Sequence, residues 1–191
     1  IVPRLKDPAE TARLIEAKNF SGDLLLSEVN ERLVKVMRMA EYLSPKYHVV
    51  VANPPYMGAK GMNGLLGVYA KESYPDSKSD FFSMFIERGM KLVPKHGYSA
   101  MVTMQSWMFL SSFEKLRIKL EAKASIESMV HMANLVMGIA FGTSGTVWQK
   151  GGDSAKRGAY CFVEYENIGD NGRPCEFPPE NERNLKAPNG S

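Results

Sequence analysis

The chain has 191 residues, of which 44% are hydrophobic, enough for one globular domain with a sizeable core. It contains no apolar stretch of membrane-spanning length and opens on no secretory signal, so we expect a cytoplasmic protein that does not bind membranes. The net charge of +3 is weaker than the basic footprint of most complete DNA-binding proteins. Cys161, Cys175 and the scattered His48, His96 and His131 lack the spacing of metal ligands, so we predict no metal site.

Two helices are predicted ahead of the first strand. Asp7 has the features of an N-cap, with a proline after it and an acid three residues on, and this helix should reach about Asn19. Apolar residues at helical spacing over residues 29–43 predict the second helix. We therefore expect residues 1–46 to form a helical N-terminal segment.

The apolar run Val49–Ala52 predicts a short strand covered on both faces, because it is β-branched and does not alternate with polar residues. Asn53-Pro54-Pro55-Tyr56 follows it directly. Ligand sites of open α/β sheets form beyond the carboxyl ends of such strands. Since the prolines stiffen the turn and lack N–H groups, the turn presents oxygen acceptors and an aromatic ring.

Such a turn suits a reaction at an amine. The exocyclic amine of adenine is a poor nucleophile because its lone pair is delocalised into the ring. The Asn53 side chain and the Pro54 carbonyl can accept its two N–H groups and favour a pyramidal nitrogen, so that position and electrostatics replace a strong base. Tyr56 can stack on a base that has left the duplex.

The next stretch, residues 58–76, contains several glycines among polar residues and methionines. It predicts a mobile loop over the substrate or, with equal weight, a disordered insertion. A helix over residues 80–93 and a strand over residues 98–104 should follow. The helix carries an apolar stripe, formed by Phe82, Phe85, Ile86, Gly89 and Val93.

The last elements are a helix and two strands. Residues 111–114 have the pattern of a capping box that begins a helix. The segments 126–132 and 159–165 predict strands that pair as an antiparallel hairpin at the sheet edge. The polar, aperiodic sequence beyond them predicts a linker.

These segments resemble large bacterial adenine-specific DNA methyltransferases. The four residues after the strand look like the catalytic motif of S-adenosylmethionine-dependent amino-methyltransferases. The stretches 79–88 and 104–117 are similar to PglX-type enzymes of BREX phage defence and to Eco57I-like restriction-modification enzymes. The resemblance implies an α/β fold, the C-terminal half of a Rossmann-like methyltransferase domain, with a mostly parallel sheet, flanking helices and an antiparallel edge hairpin.

The resemblance also implies roles for single residues. Asn53, Pro54, Pro55 and Tyr56 would be catalytic. Asp80 and Phe81 would contact S-adenosylmethionine, and Phe141 would stack on the extruded adenine opposite the tyrosine. A simpler explanation needs no binding site: Asp80 caps a helix, and Phe81 and Phe141 pack in the core.

Because no glycine-rich cofactor turn precedes Tyr47, we expect residues 47–166 to be a partial catalytic domain and residues 167–191 a linker. Such a fragment would have little activity alone. The implied partners are double-stranded DNA and possible other proteins of a defence system.

Four lysines, Lys60, Lys71, Lys78 and Lys95, could contact phosphates near the site. A solvated surface of mixed charge explains them more simply.

Other functions stay open. Glutamine methyltransferases that modify release factors, and some RNA methyltransferases, carry the same four residues after a strand. A third interpretation is a non-catalytic interaction module that keeps the fold while partner subunits act.

Overall fold

The computed structural model describes residues 7–18, 24–152 and 157–179. The described residues belong to two compact units, Ile1–Lys46 and Tyr47–Ser191. The helices and strands are α1 (Pro8–Glu16), α2 (Leu24–Leu43), β1 (Val49–Ala52), α3 (Gly64–Ser73), α4 (Phe81–Leu92), β2 (Tyr98–Met104), α5 (Glu114–Glu121), β3 (Ala124–Met132), β4 (Thr143–Lys150) and β5 (Ala159–Val163).

The first unit contains the two predicted helices. The Asp7 side chain accepts a hydrogen bond from the Glu10 N–H at 3.0 Å, which is the predicted N-cap. Helix α1 ends at Glu16, and the predicted end at Asn19 lies outside the described residues. Arg38 of α2 pairs with Glu16 at 2.9 Å; since both side chains are exposed, this pair adds little stability.

The second unit is built on one five-stranded sheet, in the order β1-β2-β4-β3-β5. β1 and β2 are parallel, as are β3 and β5, whereas β4 runs antiparallel to both of its neighbours. Four of the five strands therefore point the same way, which confirms the predicted α/β fold. We call the end where these four strands finish the carboxyl end of the sheet, and the opposite end the amino end.

The predicted hairpin between segments 126–132 and 159–165 is wrong. β3 and β5 are parallel, with Met132 opposite Val163, and the antiparallel partner of β3 is β4. The sequence of β4 does not show the pattern of a strand, because serine, glycine and threonine interrupt its apolar residues. One of its polar groups finds a partner distant in sequence, because the Ser144 hydroxyl accepts from the Trp107 indole N–H at 3.1 Å.

β1 is covered on one face rather than two. Val49 and Val51 are 57% and 74% exposed, whereas Val50 and Ala52 pack against the core. The lack of polar residues in the run therefore predicted a second covered face that this unit does not supply. β1 also lies at the edge of the sheet.

The stretch predicted as a mobile loop or disordered insertion is partly helical. It contains a 3-10 turn, Ala59–Gly61, and helix α3. Asn63 caps α3 by accepting from the Leu66 N–H at 2.9 Å, a signal that the glycines obscured.

The predicted capping box at residues 111–114 is also wrong. Ser111–Phe113 is a 3-10 turn, and no side chain caps α5. The Phe113 ring is instead buried, with its centroid 5.7 Å from that of Phe82. Burial of this ring, worth about 2 kcal/mol, favours the 3-10 turn over a helix that begins with a capping box.

The main core lies between the sheet and helices α4 and α5. Phe82 and Ile86 of α4 are fully buried there, as the predicted apolar stripe required. Gly89 allows α4 to approach β2 closely, because an added Cβ would lie 2.5 Å from the Ser99 hydroxyl oxygen. This packing fixes the N-terminus of α4 beside the chain that leaves β1.

Candidate functional site

The Asn53-Pro54-Pro55-Tyr56 turn lies at the carboxyl end of β1, as predicted. Asn53 is exposed, and within the described part of the chain its side chain makes no hydrogen bond. Pro54 is buried and Pro55 exposed. The turn is therefore anchored on one side and leaves the Asn53 amide open to a ligand.

Asp80 attaches this turn to helix α4. Its Oδ1 accepts from the Met57 N–H at 3.1 Å and from the Phe82 N–H at 3.2 Å. The Phe81 N–H donates to the Met57 carbonyl at 3.0 Å, and Gly58 and Asp80 form an antiparallel bridge. One carboxylate thus caps the helix and holds the residue that follows the turn.

The electrostatic setting of Asp80 is unusual for an aspartate. Burial raises the pKa of its carboxyl, and the backbone N–H groups of Phe82, Met57 and Phe81 offset this rise only in part. Asp80 forms no ion pair within the described ranges. Its charge is held by backbone dipoles at a helix N-terminus, which is a fixed environment.

Tyr56 and Phe141, predicted to stack on the two faces of a base, are brought together. Their ring centroids are 6.2 Å apart and the rings are inclined by 57°. The Tyr56 and Phe82 rings are nearly perpendicular, with centroids 6.1 Å apart, and burial raises the pKa of Tyr56. A base between two parallel rings needs them roughly 7 Å apart, so these rings do not hold that geometry in the structure.

The contact of Asp80 and Phe81 with the cofactor stays a prediction. Asp80 is engaged by two backbone N–H groups, and the half-buried Phe81 ring packs edge-on against Phe85, with centroids 5.1 Å apart. Of the described residues ahead of β1, nearly all lie in α1 and α2, and none forms a strand-to-helix glycine turn. The described residues thus do not supply the main cradle of a nucleotide cofactor.

One contact at the carboxyl end escaped prediction from the sequence. His131 Nε2 lies 2.6 Å from Gln105 Oε1, which is a hydrogen-bonding distance. His131 is in β3 and Gln105 follows β2, and β4 lies between these two strands. The Gln105 N–H donates to the Gly142 carbonyl at 3.0 Å, and an added Cβ on Gly142 would lie 2.5 Å from the Gln105 side chain. This contact holds the segment that carries Phe141, and only the position of β4 could have revealed it.

The described residues contain no group of three side chains able to hold a metal ion. In the same ranges no helix combines the length and hydrophobicity needed to cross a membrane.

A sequence model of the Eco57I restriction-modification methylase family matches residues 6–136, more than half of the chain. The chain is 45% identical over 117 residues to the adenine-specific methyltransferase BrxX of Escherichia coli O9:H4 (strain HS), and 41% identical over 100 residues to the adenine-specific methyltransferase PglX of Lacticaseibacillus casei (strain Zhang). These matches cover 61% and 52% of this chain. They cover 10% and 8% of the relatives, so the chain spans about a tenth of their length.

Solved structures share the fold at low identity. A structure of a type I restriction-modification system matches with a TM-score of 0.50 and 16% identity, over 71% of this chain and 28% of that one. The type IIL restriction-modification enzyme MmeI in complex with DNA also matches with a TM-score of 0.50, at 13% identity, over 73% and 20% of the two chains.

Proposed function

Because the chain belongs to the Eco57I family of restriction-modification methylases, we propose that it forms the amine-binding part of a DNA adenine-N6 methyltransferase. The observation that carries this proposal is the exposed Asn53 amide, at the carboxyl end of a strand, on a turn fixed by Asp80. The names of BrxX and PglX support adenine as the base. Double-stranded DNA as substrate, and a role in phage defence or restriction-modification with other proteins of such a system, belong to the same proposal.

The chemistry that we assign to the turn is to hold an amine. The Asn53 side-chain oxygen and the Pro54 carbonyl accept the two N–H groups of adenine N6, which turns the nitrogen lone pair away from the ring. S-adenosylmethionine is the proposed donor and supplies an electrophilic methyl carbon when bound. Methyl transfer to N6 would break the methyl–sulfur bond of the donor and leave a neutral thioether. N6 would then carry a positive charge, which the two oxygens stabilise until one of its N–H protons passes to solvent.

Base binding in this proposal requires a local movement. The Tyr56 and Phe141 rings touch each other, and Phe141 is 42% exposed. Because Tyr56 packs against the core while Phe141 lies outside it, we propose that Phe141 moves and the flipped adenine takes its place against the Tyr56 ring.

We assign Asp80 to positioning. It touches the turn through the Met57 N–H, and its helix partner is the Phe82 N–H. An error of about 1 Å in the placement of a reacting group can cost a hundredfold in rate, so a residue of this kind matters without touching the base.

The test is methyl transfer by the full-length enzyme from tritiated S-adenosylmethionine to unmodified genomic DNA. Asn53→Ala should lower kcat by at least about a hundredfold, because one of two preorganised acceptors is removed. Asn134→Ala, a change of an exposed asparagine that follows β3, is the matched control and should leave kcat unchanged.

Parallel reactions with RNA and with a release factor separate the alternatives. Transfer to either of these in place of DNA would overturn the choice of substrate. Unchanged adenine methylation by Asn53→Ala would overturn the catalytic assignment and favour an interaction module.

A further inference from the structure

Three of the four lysines singled out in the sequence line one open groove of about 630 Å³. Lys60 lies in the 3-10 turn after the catalytic turn, Lys71 in the last turn of α3, and Lys78 just ahead of Asp80. The fourth, Lys95, precedes β2 at the amino end of the sheet, beside Gly151. The tertiary structure therefore separates one lysine from the other three.

The groove is lined by basic residues and by no acidic ones. Its lining includes no aspartate or glutamate, and the three lysines form no ion pair with described residues. By contrast, Lys91 and Lys119 both pair with Glu87, at 3.2 and 2.8 Å. The lining of the groove thus carries three lysines and no carboxylate.

Two glycines of α3 also line the groove, and neither has a structural reason to be glycine. A Cβ added to Gly64 or Gly67 would meet no atom within 4 Å, and neither residue has a positive φ. Gly67 lies inside α3, where glycine costs about 1 kcal/mol relative to alanine, whereas Gly64 is the first residue of the helix. Close approach of a ligand to the helix backbone is the use of glycine that fits this position.

The groove is near the reacting base. Lys60 follows Tyr56 by four residues, which span at most about 14 Å of extended chain. The Ala59 N–H donates to the Ser79 carbonyl at 3.0 Å, so both sides of the groove are tied to the same anchor as the turn. A DNA strand rises about 3.4 Å per nucleotide, so this reach corresponds to about four nucleotides.

We propose that this groove binds the phosphodiester backbone of DNA within about four nucleotides of the target adenine, a proposal that rests on the function assigned above. The lysines supply the charge, and the bare backbone at Gly64 and Gly67 lets a phosphate come close to α3. The groove reads no base sequence and serves to set the register of the strand relative to the catalytic turn.

The test compares two sets of lysine substitutions in the full-length enzyme, with sheared unmodified genomic DNA as the probe. Lys60→Gln, Lys71→Gln and Lys78→Gln together should raise KM for DNA on the order of tenfold and change kcat by less than about twofold. The slope of log(1/KM) against log salt concentration should become shallower by about 3, because three phosphates are no longer neutralised by a lysine. The control is Lys95→Gln with Lys123→Gln; Lys123 directly precedes β3, so both lysines lie at the amino end of the sheet. This control should leave KM and slope unchanged.

A second variant tests the approach of the phosphate to the helix backbone with all charges retained. Gly67→Leu improves helix propensity, so the thermal midpoint should not fall, but its side chain fills the groove and should raise KM for DNA. An unchanged KM and salt slope in the triple variant, or an equal change in the control, would overturn the proposal that the groove binds DNA. If Asn53→Ala still abolishes methylation, that failure concerns the groove alone and leaves the proposed function intact.

Discussion

Helix α4 carries two carboxylates in opposite environments, one at its N-terminus and one in its middle. Asp80 meets backbone N–H groups only, and burial raises its pKa. Glu87, which is 5% exposed, accepts from Lys119 at 2.8 Å and from the Ser77 hydroxyl at 2.9 Å, and pairs with Lys91. Burial alone would raise the pKa of Glu87, but these hydrogen bonds outweigh it and hold the pKa below its usual value.

The two environments indicate two different tasks. The network around Glu87 extends to Asp76, which accepts from Lys119 at 3.2 Å, so it joins α4 and α5 with the segment after α3. It lies among residues that the proposed reaction does not use. Asp80 instead holds the turn that presents Asn53. We infer that the middle of α4 serves stability and that its N-terminus serves catalysis.

Removal of Glu87 gives the largest expected effect and tests the first half of that contrast. Glu87→Ala leaves Lys119 without its main partner, and the free energy of unfolding of the α4 region should fall by about 3 kcal/mol. Hydrogen exchange of residues 81–92 in the full-length enzyme measures this decrease. Methyl transfer at a temperature where the variant stays folded should be nearly normal. A specific loss of kcat there would break the comparison.

Substitution of Asp80 should have a smaller effect on stability and a specific effect on activity. Asp80→Ala removes an N-cap and the acceptor for the Met57 N–H, so stability should fall by about 1–2 kcal/mol and kcat roughly a hundredfold. Asp80→Asn keeps an oxygen acceptor and should retain about a tenth of the activity or more. If the two variants lose kcat equally, the charge matters more than the position, and the positioning role is wrong.

The smallest expected effect is on the pH dependence of α4 stability, where the two carboxylates have opposite signs. The folded-state pKa of Glu87 is lowered, so its contribution is present above the ordinary value of 4.5 and is lost as pH falls through the lower folded pKa. The folded-state pKa of Asp80 is raised, so stability falls as pH rises from its ordinary value of 3.8 through the raised one.

Hydrogen exchange of residues 81–92 between about pH 3 and 6 separates the two signs. Glu87→Gln should remove the acid-side loss of stability, and Asp80→Asn should remove the decline with rising pH. Wild-type curves that coincide with both variants would show that neither carboxylate differs in pKa between folded and unfolded states.

The sequence by itself determined most of the local elements and the position of the Asn53-Pro54-Pro55-Tyr56 turn. The apolar run of β1 followed by two prolines, the stripe of α4 and the N-cap at Asp7 depend on neighbours in the chain, so their signals are local. The same locality explains why Asn53 could be placed at the carboxyl end of a strand before any tertiary contact was known.

Only the tertiary structure decided the place of β4, the contact of Asp80 with Met57 and the separation of Lys95 from the other three lysines. Each depends on partners far away in sequence: the hydroxyl of Ser144 needs Trp107, and the Met57 N–H needs a carboxylate 23 residues further along the chain. Hydrogen bonds and burial across such distances leave no periodic trace in the amino-acid sequence, because their energy arises only when the sheet brings the strand ends together.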